Sequence, residues 1–408
     1  MYVSLLRPAE PRALPRPGAG QGRGRGTSWW SRLPEGLGYS LLVYLATRLV
    51  VVAGVVAYLR RHPTDSLSRL SLKWDGWWYV KLAEQGYSTS LRSPSTGVRD
   101  WHHGYSDWAF FPGYPLLIRA AQRLTGAPSM VTAVVLAAVL GLVAVWAVYA
   151  LGAEFGGPDV GRTSALLLAA WPGSAVFLQP YSEALFTAAT AAALLALLRE
   201  RWLVAGLLGA VSSATRPTGA ALVAAAGAVA VVRLVRHRDP RPLLAPLVAT
   251  TGAAGFAVHA WLRTGDVLAW RHAENLWAQK LDLSKKLLVT WVRVAADPEK
   301  FLRTDAGREV LAGSLLQVGG AAALVAVLVA VIRLRRRLTL PLAVYGGLTL
   351  FLVLAYSAVG PRPRTLLAVI PAFVWVAAWH PRGARVVAVA MTPLLAVVTY
   401  LWLWQVTP

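Results

Sequence analysis

The chain has 408 residues, 56% of them hydrophobic and 15% charged, where ordinary soluble domains carry about 25% charged residues. A formal net charge of +22 would suit a nucleic-acid binder, but the Lys and Arg residues sit in short clusters between apolar runs, a pattern that membrane topology explains better. With no cysteine, disulfides, thiolate metal sites and cysteine nucleophiles are excluded.

Residues 1–34 are rich in Pro, Gly and Arg and lack the apolar core of a signal peptide, so they read as a disordered, basic cytoplasmic tail. From residue 35 to residue 408 the sequence reads as one transmembrane domain. A bilayer-spanning helix needs about 20 apolar residues. Candidate spans fall at 36–58, 128–150, 164–180, 182–198, 202–215, 217–232, 242–262, 311–332, 339–359, 365–379 and 386–406, eleven in all. The expected fold is therefore an all-α polytopic membrane protein. With the N-terminus in the cytoplasm, the short inner loops hold Arg199/Arg201, the run 233–241, the run 333–337 and Arg382/Arg385. The positive-inside rule favours that orientation. Two long loops, 59–127 and 263–310, then fall outside, where their basic residues are balanced by Asp and Glu. Amphipathic pieces at 74–82 and 116–124 are expected to lie in the interface. There is no internal repeat, which weighs against a transporter or flippase of lipid-linked sugars.

The first outer loop opens on Lys73-Trp74-Asp75-Gly76-Trp77-Trp78-Tyr79, followed by Gly86-Tyr87. A carboxylate among aromatic rings at the membrane boundary suits a general base acting on a sugar hydroxyl, with Trp74, Trp78 and Tyr79 as substrate contacts. The alternative is an interfacial aromatic belt with an incidental Asp. Asp107 and the Pro-Gly-containing string after it read as a structural turn. Asp100, His102, His103 and Asp107 have metal-ligating side chains but no recognisable ligand spacing.

Further on, Gln179-Pro180-Tyr181-Ser182-Glu183 places an acid at the start of a span, with Tyr181 beside it as a substrate contact. An intramembrane acid marks a functional site or a favourable helix N-terminus. Arg216, in Thr215-Arg216-Pro217-Thr218-Gly219, stands where a helix starting after Pro217 would leave free N–H groups, a phosphate-binding combination. Arg362 and Arg364 fall on the same side. These three arginines have no acid nearby in sequence and are expected to need anionic partners such as a lipid-linked phosphate or headgroups. His272 and Glu274 in the second outer loop are candidate substrate contacts. Arg48, inside the first span, is expected to pair with a buried acid or to snorkel, and His259 to be a core residue.

Four of these strings, taken in order, resemble one family. Trp74-Asp75 with Tyr79 and Gly86-Tyr87, then Ala109-Phe110-Phe111-Pro112 with Tyr114-Pro115, then Pro180-Tyr181-Ser182-Glu183-Ala184-Leu185-Phe186, then Arg216-Pro217-Thr218-Gly219 are similar to the PIG-V mannosyltransferases. Those are the second mannosyltransferases of GPI-anchor synthesis and their bacterial relatives. The match spans roughly residues 40–230, with weaker similarity around Arg364 and Pro371. The resemblance implies the GT-C glycosyltransferase fold with its active site on the extracytoplasmic face of the cell membrane. It implies a polyprenyl-phosphate mannose donor, inversion at the anomeric carbon without a metal or other cofactor, and Asp75 as general base. Arg216 and Arg364 then become donor phosphate ligands. The pattern departs at Arg364-Thr365, where Arg-Tyr is expected. The Arg- and Ala-rich composition looks like that of a high-GC bacterium, so the expected acceptor is a bacterial glycolipid or lipoglycan. Transfer of another sugar, glucose or arabinose, remains the alternative within the class.

Overall fold

A computed structural model describes residues 36–91, 105–277, 285–355 and 361–404. The basic segment 1–34, with Asp100, His102 and His103, lies outside the described residues, as do the last positions of the predicted span 339–359. All regular structure among the described residues is helical.

Helix α1 (Leu37–Arg61) crosses first. Its polarity is inverted relative to a soluble helix: Ser40, Tyr44, Thr47 and Arg48 face inward, while Leu42, Leu45, Leu49, Val52 and Val56 are exposed. That is the arrangement expected where the solvent is lipid and helix association relies on small and polar residues. The long connection that follows contains α2 (Leu67–Ser71), α3 (Asp75–Gln85) and α4 (Gly113–Thr125), so both amphipathic pieces are helices. Helix α5 (Ser129–Gly156) returns, and α6 (Pro158–Ala170) rises again into a 3-10 turn, Pro172–Leu178. That turn meets α7 (Glu183–Leu198) at 109°.

Helix α7 is the centre of the molecule. It is buried on nearly every side, packed among α5, α8 (Trp202–Ser213), α9 (Gly219–His237) and, later in the chain, two more helices. Its six buried alanines let those neighbours approach closely, and the Thr190 and Ser212 hydroxyls, 2.7 Å apart, tie it to α8. Helix α10 (Leu244–Thr264) runs beside α8, and Ser213 donates to the Ala249 carbonyl at 2.6 Å.

The second long connection holds α11 (Ala269–Leu276), α12 (Lys285–Ala296) and α13 (Pro298–Leu302). Then follow α14 (Asp305–Leu334), α15 (Leu340–Ala355), the short α16 (Pro363–Leu366), α17 (Ile370–Trp379) and α18 (Pro381–Trp404). Helices α15 and α17 complete the ring around α7.

Every one of the eleven predicted spans is occupied by apolar helix, but they are not equal. Among the described residues six helices are long and apolar enough to cross a membrane: α1, α5, α9, α10 with its leading turn, α14 and α18. The bent pair 172–178 and α7 makes a seventh if read as one span, and α8, α15 and α17 are shorter. The short ones each pack against α7, while α8 and α15 also keep an exposed apolar side at Leu203, Leu207, Phe351 and Leu354.

Arg48 neither pairs with an acid nor snorkels. It is 5% exposed and reaches across to the break after α6, donating to the Ala169 carbonyl at 2.9 Å, the Ser174 hydroxyl at 2.8 Å and the Ser174 carbonyl. A broken helix strands carbonyls in an apolar medium, and a guanidinium with its fork of donors satisfies several at once. His259 is likewise not in the core: it is exposed on α10, its ring 5.6 Å from Tyr87 and 5.7 Å from Trp108.

Candidate active site

Four helix breaks meet at one end of the bundle, and each delivers one charged side chain. Asp75 opens α3. The residue before it, Trp74, has φ of 53°, a conformation unusual for a bulky non-glycine residue. Gly76 is required by close approach: a Cβ there would meet the Ser71 carbonyl oxygen and lie 2.9 Å from Pro180 Cγ. Glu183 opens α7 directly after Pro180-Tyr181-Ser182. Arg216 occupies the link between α8 and α9. Arg364 sits in α16, which is pinned against the 172–178 turn: Trp171 Nε1 donates to the Pro363 carbonyl at 2.6 Å, and Gly173 has no side chain to push that carbonyl away.

The four side chains form one ionic chain. Arg216 Nη1 lies 2.6 Å from Glu183 Oε1, Arg364 Nε lies 2.5 Å from the same oxygen, and Arg364 Nη2 donates to Asp75 Oδ2. The two arginines expected to lack acids are therefore paired with acids from distant parts of the sequence. Glu183 is the most enclosed, its side chain 4% exposed, against 24% for Asp75. Beneath them the Arg364 guanidinium lies over the Tyr181 ring, 4.4 Å from its centroid. The Ser182 hydroxyl receives Arg216 at 3.3 Å and sits 2.7 Å from the Tyr79 hydroxyl.

A cavity of about 440 Å3, within the range of small-ligand sites, adjoins this chain. Asp75 lines it together with Ala109, Phe110, Pro217, Thr218, Thr365, Trp270, Glu274 and Trp277. Glu183 does not. Hence Asp75 is the acid that faces open space, and Glu183 is the acid that holds the arginines.

Other predicted residues are placed differently. Trp78 and Tyr181 are fully buried and Tyr79 nearly so, and none of the three lines the cavity. They pack behind Asp75, Trp78 stacking on Phe110 with centroids 5.4 Å apart. Half-buried Trp74 packs against the main core. The aromatic side chains that line the cavity are instead Phe110, Trp270 and Trp277. His272 points away, its Nδ1 2.6 Å from Asp266 Oδ2, and this hydrogen bond holds the Asp266 carboxyl below its ordinary range. Its helix neighbour Glu274 does reach the cavity, and burial pushes the Glu274 carboxyl up, with Arg271 pulling it back.

At the α9 N-terminus the N–H groups of Gly219, Ala220 and Ala221 bond to the carbonyls of Arg216, Pro217 and Thr218 at 2.9–3.1 Å, so these three are not free to bind an anion. Asp107 is structural: fully buried, it accepts from Lys81 Nζ at 3.1 Å and from the Ser88 hydroxyl at 2.9 Å. Among the described residues no three His, Asp or Glu side chains come together as a metal-binding group.

Residues 109–261, less than half of the chain, match the family described as dolichyl-phosphate-mannose-protein mannosyltransferase. No curated protein matches the sequence. Among solved structures the chain is similar to the oligosaccharyltransferase of Archaeoglobus fulgidus in its apo form, with a TM-score of 0.50, 13% identity, and coverage of 89% of this chain and 55% of that one. It is similar to ArnT of Cupriavidus metallidurans bound to undecaprenyl phosphate, with a TM-score of 0.50, 14% identity, and coverage of 88% of this chain and 63% of that one. The chain thus spans less than two thirds of the length of either protein. What these likenesses establish is architecture: the chain has the all-helical GT-C glycosyltransferase fold.

Proposed function

We propose that the protein is an inverting glycosyltransferase that moves a sugar, mannose by the family resemblance, from a polyprenyl-phosphate donor to a hydroxyl of an extracytoplasmic glycolipid or lipoglycan. The observation that carries this reading is a cavity-lining carboxylate, Asp75, paired with Arg364 and linked through Glu183 to a second partly buried arginine, Arg216. General-base chemistry on an alcohol needs the carboxylate, and stabilising a departing phosphate needs the arginines. The match of residues 109–261 to a family named for dolichyl-phosphate-mannose chemistry and the ArnT likeness support a lipid-linked donor.

In the proposed reaction the acceptor oxygen attacks the anomeric carbon from the face opposite the phosphate. The bond from that carbon to the phosphate oxygen breaks, its electron pair leaves with the polyprenyl phosphate, and the hydroxyl proton passes to Asp75. Arg364 has a double duty in this scheme. In the unliganded protein it is held by Asp75 and Glu183. An arriving phosphate competes for its guanidinium, which frees the Asp75 carboxylate as the donor seats. Arg216, kept in place by Glu183, is the second phosphate ligand. Trp74, Trp78, Tyr79 and Tyr181 act by holding this arrangement in position.

The membrane orientation that goes with this reading puts the site outside the cytoplasm, with the ends of α5, α7, α9, α14 and α17 and their arginines inside. The test is direct. Purified protein in lipid nanodiscs, given radiolabelled polyprenyl-phosphate mannose and a bacterial lipid extract, should transfer label to a lipid product. Label that stays on the donor with mannose but moves when glucose or arabinose donors are supplied would reassign the sugar. Label that moves from none of them would remove the transferase reading.

A further inference from the structure

Helix α11 places its side chains on two distinct faces. Ala269 and Ala273, four residues apart, are fully buried against Trp108, Phe111 and Phe256. The neighbouring stripe, Trp270, Glu274 and Trp277 at spacings of four and three, is turned by about 100° and faces the cavity that Asp75 lines, with Trp270 also touching Phe111 at 6.1 Å. The stripe is firmly seated. Trp277 Nε1 donates to the Ser106 carbonyl at 3.1 Å, and its ring packs against Tyr105 at 4.4 Å and Phe110 at 5.5 Å. Among the described residues Glu274, 18% exposed, has one charged partner, Arg271, at 3.4 Å. That is a long contact for a carboxylate that has given up most of its water, and burial raises its proton affinity accordingly. A part-desolvated acid bracketed by two indoles is short of hydrogen-bond donors and surrounded by flat apolar surface. The ligand that supplies both complements is a pyranose ring, with hydroxyls on its edge and C–H groups on its face.

We propose that Trp270, Glu274 and Trp277 form the acceptor-sugar subsite, the indoles taking the C–H face of a hexose and Glu274 accepting a hydrogen bond from one of its hydroxyls. The proposal rests on the transferase reading for the word acceptor. The donor phosphate enters at Arg216 and Arg364, on the helix-break side of the cavity, and α11 forms the wall contributed by the outer loop. An acceptor held there presents a neighbouring hydroxyl to Asp75 across the shared space.

The probe is an octyl mannoside carrying a diazirine, photolysed with the full chain in nanodiscs and mapped by peptide mass spectrometry. Saturable labelling of peptides covering residues 269–277 is expected. Glu274→Gln and Trp270→Ala should each lower that labelling by about tenfold, the first by weakening a hydrogen bond to a charged group and the second by removing the flat apolar surface under the sugar. Labelling absent from 269–277 at saturating probe, or unchanged by both substitutions, would overturn the subsite. Glu274→Gln preserves size, and an unchanged thermal midpoint shows that its effect is not loss of fold. Because the readout does not require turnover, the two readings fail separately. Labelled α11 in a protein that transfers no sugar removes the transferase, and transfer without α11 labelling removes the subsite.

Discussion

Asp75 and Glu183 share Arg364 but differ in enclosure, and paired substitutions should separate the tasks we propose for them. Among the described residues Glu183→Gln removes the only carboxylate that both arginines touch at once, in a side chain 4% exposed. Breaking a buried ion pair from one side costs about 3–5 kcal/mol, and the 25% exposure of Arg216 argues for the lower end, about 3 kcal/mol. In domains of 150–250 residues one kcal/mol moves the thermal midpoint by about 2–4 °C, and a chain of 408 residues sits at or below the lower end. Glu183→Gln should therefore lower the midpoint by about 3–6 °C. Asp75→Asn leaves Arg364 on Glu183 and alters a contact that is 24% exposed, so its stability cost should stay within about 1 kcal/mol. Its turnover, however, should fall by about 10²–10⁴-fold, the usual contribution of a general base. The assay is differential scanning fluorimetry in detergent beside single-turnover transfer from labelled donor. Near-normal turnover in Asp75→Asn would refute the assignment. If Glu183→Gln then lost turnover at an unchanged midpoint, Glu183 would be the base.

Arg216→Ala should lower kcat/KM for the donor by about 10–100-fold, the worth of a hydrogen bond to a charged group, with Arg216→Lys recovering only part of it if the contact is bidentate. Arg382→Ala, exposed at the opposite end of the bundle, should leave kcat/KM unchanged, and equal effects would make Arg216 merely interfacial. Because the chain has no cysteine, single cysteines report topology cleanly: Thr125→Cys should react with an impermeant maleimide added to intact cells, and His237→Cys should not. The reverse pattern would put the site in the cytoplasm. Arg48→Met strands the Ser174 carbonyl, leaves the Ala169 carbonyl with the Ser174 hydroxyl alone, and should lower the thermal midpoint while leaving the donor KM unchanged. An unchanged midpoint would mean that these carbonyls find other donors.

The helices were legible because apolar runs of the required length leave few alternatives in a chain this poor in charge. Their number across the bilayer was not. Hydropathy treats 182–198 and 36–58 alike, although α7 is enclosed by protein and α1 faces lipid on one side. Asp75, Arg216, Glu183 and Arg364 were each visible as ionisable residues beside membrane segments. Their mutual pairing was not, since it joins positions as far apart as 75 and 364. The aromatic residues misled for a related reason. Trp78 and Tyr79 lie three and four residues after Asp75, on its side of α3, but beyond the first turn that side is laid against Phe110, Tyr114 and Ser182, and only Asp75 at the helix start reaches the cavity. Phe110, Trp270 and Trp277, distant in sequence, fill the positions facing the cavity. In α11 the same periodicity carried a usable signal: Trp270, Glu274 and Trp277 share a face that His272 cannot join.

The charged residues of the site also share a sequence context that has a physical cause. Glu183 follows Pro180, Arg216 precedes Pro217, and Arg364 follows Pro363. Proline removes a backbone donor and stops a helix, which at membrane depth is tolerated only where protein encloses the freed groups or a cavity opens beside them. A charged side chain in that position meets the same constraint and is stable only with a partner. Breaks of this kind therefore have to cluster, because each needs the polar groups of the others. Glu183 reaches two arginines only because α7, α8–α9 and α16 break at the same height, and the turn at 172–178 bends by 109° to allow it. Asp75 joins from outside the bundle, across the close approach at Gly76, and is the member left facing the cavity. Enclosure thus sorts the two acids: the one on the central helix is committed to holding the arginines, and the one on the loop helix remains open to a substrate.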